Sequence, residues 1–149
     1  MIMKRTAVVN PYHTVGFNPP DAVKSKKVGK YPVLAKSGGG MFFDEVLEYR
    51  VWCHPHRGAP PARPSNHSDY YCAFAVYAEA LKFAQETPGA EEPLALVRQF
   101  AWVAQIDDAG RYERRSGERI TEWQVGWLER GPRRDGDIEA FLATHAKTT

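Results

Sequence analysis

Residues 45–86 decide the fold, because they carry two strand patterns and a helix pattern in close succession. The stretch begins with VLEYRVWC (residues 46–53) and, after a proline-rich loop, ends with DYYCAFAVYAEALKFAQE (residues 69–86). Apolar and polar residues alternate from Leu47 to Cys53, which predicts a strand with one buried face. The aromatic run from Asp69 to Val76 predicts a second strand.

A helix is predicted directly after this second strand. Apolar residues recur at the spacing of one helix face from Tyr77 to Ala84, and Pro88 follows the pattern, as is usual just beyond a helix end. The helix is thus entered almost without a linker.

The remainder of the chain predicts a hairpin and a second helix. A long strand is predicted from Leu94 to Ile106, with one apolar face, and a return strand from Ile120 to Leu128. The charged segment 111–119 between them is either the distal part of the hairpin or a mobile loop. A short final helix is predicted from Ile138 to Ala146, with Asp137 as its cap. The sequence therefore predicts an α+β fold: a mainly antiparallel sheet of about four strands with two helices on one face, in the order β-β-α-β-β-α.

The composition is that of one globular domain. The chain has 149 residues, of which 43% are hydrophobic and 26% charged. Two cysteines do not make a disulfide framework, and no apolar run approaches the roughly 18 residues that span a bilayer. The sequence also shows no signal-peptide pattern, so a cytoplasmic location is expected.

Residues 1–40 have the features of a flexible basic arm, and residues 41–149 those of a single α+β domain. The arm shows no sustained hydrophobic periodicity of 2 or 3.6 residues. It carries seven Lys and Arg residues against one acidic residue, Asp21. A solvated tail is the favoured interpretation, because such tails are common at chain termini, and binding to nucleic acid or to an acidic protein is the alternative. The candidate contact residues are the basic group Lys24, Lys26, Lys27 and Lys30.

A second interpretation of the arm concerns its three glycines. Gly38-Gly39-Gly40 directly precedes Met41, and such a run can be the translation of a purine-rich ribosome-binding site. On this hypothesis translation starts at Met41, and residues 1–40 are upstream sequence or an optional extension.

The Cys and His residues around the proline-rich loop form a candidate metal site. If the first two strands pair, their cysteines approach each other and the loop can bring two histidines, which gives four zinc ligands. The spacing is only loosely that of zinc sites, so packing of buried thiols is the favoured alternative and zinc is not expected. A Cys–His nucleophilic pair is a further alternative, although no orienting third group is evident. The four candidate ligands are Cys53, His56, His67 and Cys72.

Aromatic residues in the predicted strands are candidates for stacking on a base or on another flat ligand, with core packing as the alternative. They are Tyr70, Tyr71, Trp102, Trp123 and Trp127. No catalytic residue can be assigned from the sequence.

Three segments carry a resemblance to a known group: MFFDEVLEYRVWCHP (41–55), DYYCAFAVYAEALKFAQETPGAEEPLALVRQ (69–99) and ERITEWQVGWL (118–128). From Met41 to about residue 130 the chain resembles short alphaproteobacterial proteins that often carry the label GCN5-family acetyltransferase. The resemblance implies a bacterial, acetyl-CoA-dependent N-acetyltransferase. The glycine-rich pyrophosphate motif of that superfamily is not found, so no CoA-binding residue can be assigned.

Two functions are therefore expected from the sequence. The first is the N-acetyltransferase that the resemblance implies. The alternative is a non-catalytic α+β binding module that contacts a protein or nucleic acid through the basic arm and the aromatic sheet.

Overall fold

The computed structural model describes residues 17–33, 35–37 and 41–145. Its regular elements are five strands and two α-helices, joined by short 3-10 helices. They are β1 (Lys36–Ser37), β2 (Glu45–Cys53), β3 (Tyr70–Phe74), α1 (Tyr77–Glu86), β4 (Leu94–Gln105), β5 (Tyr112–Gln124) and α2 (Asp137–Thr144). None of the helices in these residues is long and apolar enough to cross a membrane.

All five strands form one sheet, in the order β1-β5-β4-β2-β3. Neighbouring strands are antiparallel except at one edge, where the two-residue β1 runs parallel to β5. The predicted α+β class and the order β-β-α-β-β-α are confirmed, with β1 as an additional short edge strand that the sequence did not indicate.

One face of the sheet packs against α1 and forms the main core. Tyr49, Val51 and Cys53 of β2 lie in it, and the 3-10 helix Val125–Arg130 adds Leu128. At the centre of this face, Trp123 is fully buried, and its Nε1 donates to Thr121 Oγ1 at 2.9 Å.

The opposite face is also buried, which differs from the half-exposed strand that the alternation predicted. A register shift between Val46 and Glu48 turns Leu47 away from the main core. Leu47 therefore packs with Leu96 and Tyr31 in a second apolar cluster. Because a bulge of this kind inserts one residue, it exchanges the faces of the residues on either side of it.

The N-terminal segment, by which we mean residues 17–33 and 35–37, packs along both faces: Phe17 contacts the main core, and Tyr31 and Ala35 cover the second face. Ala22 N donates to Ala75 O at 2.8 Å, and Val23 N donates to Val46 O at 2.9 Å. The described part of the predicted arm is thus hydrogen-bonded to the sheet. Residues 1–16 and 38–40 of that arm lie outside the described residues, and its boundary with the domain remains a prediction.

The β4–β5 hairpin corrects two details of the sequence interpretation. A register shift between Gln99 and Ala101 breaks the single apolar face predicted for residues 94–106, and Phe100 is exposed. The charged segment 112–119 is part of β5, but the return strand ends at Gln124 rather than at Leu128. The 3-10 helix Val125–Arg130 takes the place of the last predicted residues of the return strand. Side chains three residues apart align in such a helix, so Val125 and Leu128 can both be buried.

Gly89 supports the loop after β2 through a close backbone approach. Its φ is +71°, and a Cβ at this position would lie 2.5 Å from Ala59 N and 2.7 Å from His54 O. We expect Gly89→Ala to destabilise the fold by roughly 2–4 kcal/mol, because backbone strain and a steric clash add. Gly136→Ala is the matched control, since Gly136 has φ +87° but no atom within 4 Å of the added Cβ. Urea unfolding of both variants measures the difference, and equal losses would contradict a role for the close approach.

Candidate binding groove

A groove of about 370 Å³ lies between the N-terminal segment and β3, which forms the far edge of the sheet. One of its walls belongs to the N-terminal segment, and its floor belongs to β2 and β3. The lining residues are Gly29, Val33, Trp52, Asp69, Tyr70, Tyr71 and Ala73.

The aromatic floor of the groove is formed by Trp52 and Tyr71. These residues are direct cross-strand partners in the β2–β3 register, and their ring centroids lie 5.1 Å apart. Both side chains are partly exposed. The indole is fixed by a hydrogen bond from its Nε1 to Glu122 Oε2 at 2.8 Å. The arrangement presents flat apolar surface at fixed positions, which suits stacking on a planar ligand.

A buried ion pair on the same sheet face as the floor fixes the wall of the groove. Arg50 and Glu48 are both fully buried, with Arg50 Nε 2.7 Å from Glu48 Oε2. Glu48 Oε1 accepts a hydrogen bond from Gly29 N at 2.8 Å, and Arg50 Nη1 donates to Val33 O at 3.0 Å. Two residues that line the wall are therefore attached to the sheet by charge-assisted hydrogen bonds.

Arg50 also contacts the floor directly. Its guanidinium carbon lies 4.3 Å from the centroid of the Tyr71 ring, within the range of a cation–π contact. Burial raises the pKa of Tyr71, against a lowering effect of the Arg50 charge. The phenol is therefore neutral over the physiological range and can donate a hydrogen bond.

Asp69, which lines the groove, is held by His54, the residue directly after β2. His54 Nδ1 lies 3.0 Å from Asp69 Oδ1, and His54 Nε2 lies 2.9 Å from Glu91 Oε2. The hydrogen bond to Glu91 is the largest cause that raises the pKa of His54. Both ring nitrogens are engaged by carboxylates, so His54 positions Asp69 and leaves no nitrogen for a substrate proton.

The four predicted contact lysines lie on the same segment as the wall. All four side chains are exposed, and Lys27 and Lys30 flank Gly29 in a tight turn in which Lys30 N donates to Lys27 O at 2.9 Å. The segment that contributes Gly29 and Val33 to the wall therefore also carries four exposed positive charges. These residues are Lys24, Lys26, Lys27 and Lys30.

The structure brings together only half of the predicted zinc ligands. Cys53 and Cys72 are diagonal neighbours across β2 and β3, and their thiols interact. His56 and His67 lie on the exposed loop. Within residues 17–33, 35–37 and 41–145, no group of three or more His, Cys, Asp or Glu side chains is arranged to hold a metal.

The thiols are not arranged as nucleophiles. Burial is the largest cause that raises the pKa of both Cys53 and Cys72, whereas an activated cysteine has a lowered pKa. Cys53 is fully buried in the main core. Packing in the core therefore accounts for Cys53, whereas Cys72 is partly exposed.

Most of the predicted stacking residues lie elsewhere. Trp123 is buried in the main core and Trp127 packs against it, while the Arg119 guanidinium covers Trp102 at 4.3 Å. Tyr70 lines the groove, but it also packs against the core and its hydroxyl donates to Pro60 O. Of the predicted set, Tyr71 forms part of the floor.

Comparisons with models of protein families, with curated proteins and with solved structures found no match to this chain. The acetyltransferase resemblance therefore stays a prediction. At the turn where that superfamily binds pyrophosphate, between β3 and α1, residues 74–79 contain no glycine. Ala75 O accepts a hydrogen bond from Ala22 N, so the N-terminal segment approaches this turn.

Sequence reasoning missed Trp52, Asp69 and His54. Trp52 lies in the alternating run of β2 and shares a face with Glu48 and Arg50, which made that face resemble a solvent-exposed one. The signal that could have found Trp52 is its cross-strand pairing with Tyr71, an aromatic pair of the kind that stabilises sheets.

Proposed function

We propose that this protein is a non-catalytic module that binds single-stranded nucleic acid in the groove. The observation that carries the proposal is the Trp52–Tyr71 floor beside an N-terminal segment that contributes Gly29 and Val33 to the wall and also carries four exposed lysines, Lys24, Lys26, Lys27 and Lys30. Proteins that bind single strands combine aromatic side chains, which stack on bases, with basic residues along the phosphate backbone.

The charges of the groove favour a nucleotide over a peptide. A cationic peptide would be repelled by the four exposed lysines of the N-terminal segment. An acidic peptide would be repelled by the Asp69 carboxylate, and its acidic side chains would not stack on the aromatic floor. In a nucleotide, the phosphate can pair with the lysines, the base can stack on the floor, and the N–H groups of the base can donate hydrogen bonds to Asp69.

The side chains around the groove support binding rather than catalysis. Both nitrogens of His54 are bound to carboxylates, and burial raises the pKa of the nearby Cys53 and Cys72 thiols. A general base needs a free ring nitrogen, and a nucleophilic cysteine needs a lowered pKa.

The acetyl-CoA-dependent N-acetyltransferase is the second candidate. The groove could also hold the adenine nucleotide part of CoA, with the base on the Trp52–Tyr71 floor and phosphate near Lys27 and Lys30. Because no residue is assigned to acetyl transfer, this candidate rests on the resemblance and on the groove alone.

Oligonucleotide binding to the full chain tests the proposal. We expect a fluorescein-labelled single-stranded DNA to raise fluorescence anisotropy, and Trp52→Ala to weaken its affinity roughly 5- to 150-fold, as expected for loss of one stacking contact. Trp102→Ala is the matched control, because Trp102 lies outside the groove under Arg119. Equal affinities of the two variants would contradict binding in the groove.

Salt dependence tests the basic wall in the same assay. Lys26→Ala together with Lys27→Ala should reduce the slope of log affinity against log salt by about 1.4, at about 0.7 per lost phosphate contact. Lys82→Ala, which removes an exposed lysine on α1, should leave the slope unchanged. Absence of oligonucleotide binding, together with a rise in melting temperature in acetyl-CoA, would favour the second candidate.

A further inference from the structure

We propose that Asp69 makes the groove selective for guanine, so that the module binds single strands at an unpaired guanine. This inference rests on the proposed function and adds base selectivity to it. Asp69 lines the same groove as the Trp52–Tyr71 floor, and it contributes the carboxylate among the lining residues.

The position of Asp69 is set by its neighbours. It lies directly before β3, so its backbone is fixed next to Tyr70 and Tyr71. His54 Nδ1 binds Oδ1 at 3.0 Å, and Glu91 Oε2 holds the other ring nitrogen at 2.9 Å. The carboxylate is therefore oriented, yet its side chain remains 52% exposed and accessible to a ligand.

The carboxylate retains enough acceptor capacity to bind a base. Its two oxygens offer about four lone-pair sites, and the hydrogen bond to His54 uses one of them. Two parallel N–H donors could therefore be accepted side by side, as in other bidentate carboxylate contacts.

Guanine is the base whose edge matches two adjacent acceptors. Its Watson–Crick edge presents N1–H and the N2 amino group next to each other, both as donors. Adenine and cytosine place a ring-nitrogen acceptor beside their amino group, which would face a carboxylate oxygen, and thymine and uracil offer one N–H between two carbonyls. Unstacked bases in single strands are commonly recognised on this edge while they stack on aromatic side chains.

His54 acts here as a positioning residue. A histidine that bridges two carboxylates is stabilised in its charged form, in agreement with its raised pKa. The positive charge of His54 reduces the repulsion between Asp69 and the phosphates of a bound strand. Its contact with Oδ1 fixes the Asp69 rotamer that points the carboxylate at the base.

The test uses the full chain and three labelled oligothymidylates that differ at one central position, which is guanine, hypoxanthine or adenine. Hypoxanthine retains the N1–H donor of guanine but lacks the N2 amino group. We expect the unmodified protein to bind the guanine strand roughly tenfold more tightly than the other two, in the range known for bidentate side-chain contacts to a base. Asp69→Asn, which replaces one acceptor by a donor, should lose the preference for guanine and bind the adenine strand more tightly, because the Watson–Crick edge of adenine offers one donor and one acceptor to an amide.

Asp108→Asn is the matched control, because Asp108 is exposed in the turn between β4 and β5, and it should keep the guanine preference. Equal affinity of the unmodified protein for guanine and hypoxanthine would overturn the proposal, and so would a preference that survives in Asp69→Asn. The comparison of strands on the unmodified protein decides the question even if Asp69→Asn fails to fold. If salt-dependent binding is present without base preference, this inference fails alone, whereas absence of binding to every strand defeats the proposed function as well.

Discussion

A chain reduced to residues 41–149 is expected to lose most of its stability. The second apolar cluster loses Tyr31 in that chain, and Leu47 and Leu96, both fully buried, become uncovered. Leaving two leucines exposed costs about 3–6 kcal/mol at 1.5–3 kcal/mol each. Since domains of this size are typically stable by about 5–15 kcal/mol, the loss is a large part of the total.

Several hydrogen bonds to the segment are lost in the same deletion. The Tyr49 hydroxyl no longer donates to Pro20 O, and Arg50 loses the carbonyl acceptors of Pro32 and Val33. Burial is the largest cause that raises the pKa of Tyr49, so its hydroxyl is a neutral donor that needs an acceptor in the fold. The parallel pairing of β1 with β5 also disappears.

Urea unfolding, followed by tryptophan fluorescence, measures this loss. The control is a chain that begins at Phe17, which keeps every contact described above and separates the effect of removing residues 17–40 from that of removing residues 1–16. The 41–149 chain should be unfolded without urea or should unfold at a much lower concentration. Equal midpoints for all three chains would show that residues 17–40 are dispensable for folding, as a separate flexible arm would be.

Local pattern was enough to predict the strands and helices of the main core. The alternation around Tyr49 and Val51 marks the face that α1 covers, and the helical spacing from Tyr77 to Ala84 marks the face of α1 that packs there. Both are periodicities within one element, so neighbouring residues suffice to reveal them.

The second buried face could not be predicted, because it depends on contacts between distant parts of the chain. Glu48 and Arg50 alternate with apolar residues, which is typical of a solvent-exposed face, yet both are fully buried under the N-terminal segment. That segment has no periodicity of its own, and its order comes from hydrogen bonds and packing to β2. The register shift at Val46 and Glu48 is likewise a tertiary feature that composition does not encode.

The candidate site was predicted only in part, because it also depends on contacts between distant parts of the chain. The lysine group stands out in sequence as a charge cluster, and Tyr71 stands out as an aromatic residue in a strand. That the segment carrying the lysines lines the same groove as Tyr71, through Gly29 and Val33, follows from where this segment packs. Asp69 and His54 are separated by the long proline-rich loop, so their contact depends on how the ends of β2 and β3 meet.

Arg50→Met should be among the most destabilising single substitutions in the chain. It leaves Glu48 fully buried without its cationic partner, and loss of one member of a buried ion pair costs about 3–5 kcal/mol. The carbonyl groups of Pro32 and Val33 lose their donor as well, and the Tyr71 ring loses its cation–π contact with the guanidinium. Arg115→Met is the control, since Arg115 is half-exposed and pairs with Glu113, an arrangement worth about 0–1 kcal/mol.

The double variant Glu48→Gln with Arg50→Met distinguishes an uncompensated charge from a simple loss of packing. The glutamine side chain would keep an oxygen for Gly29 N but would carry no charge, so the double variant should be more stable than Arg50→Met alone. If packing and the hydrogen bonds of Arg50 alone were responsible, the second substitution would add to the damage. Urea unfolding of the two single variants and the double variant gives the coupling between the residues. A double variant less stable than Arg50→Met would show that the Glu48 charge is tolerated without Arg50, and that the ion pair does not hold the wall of the groove to the sheet.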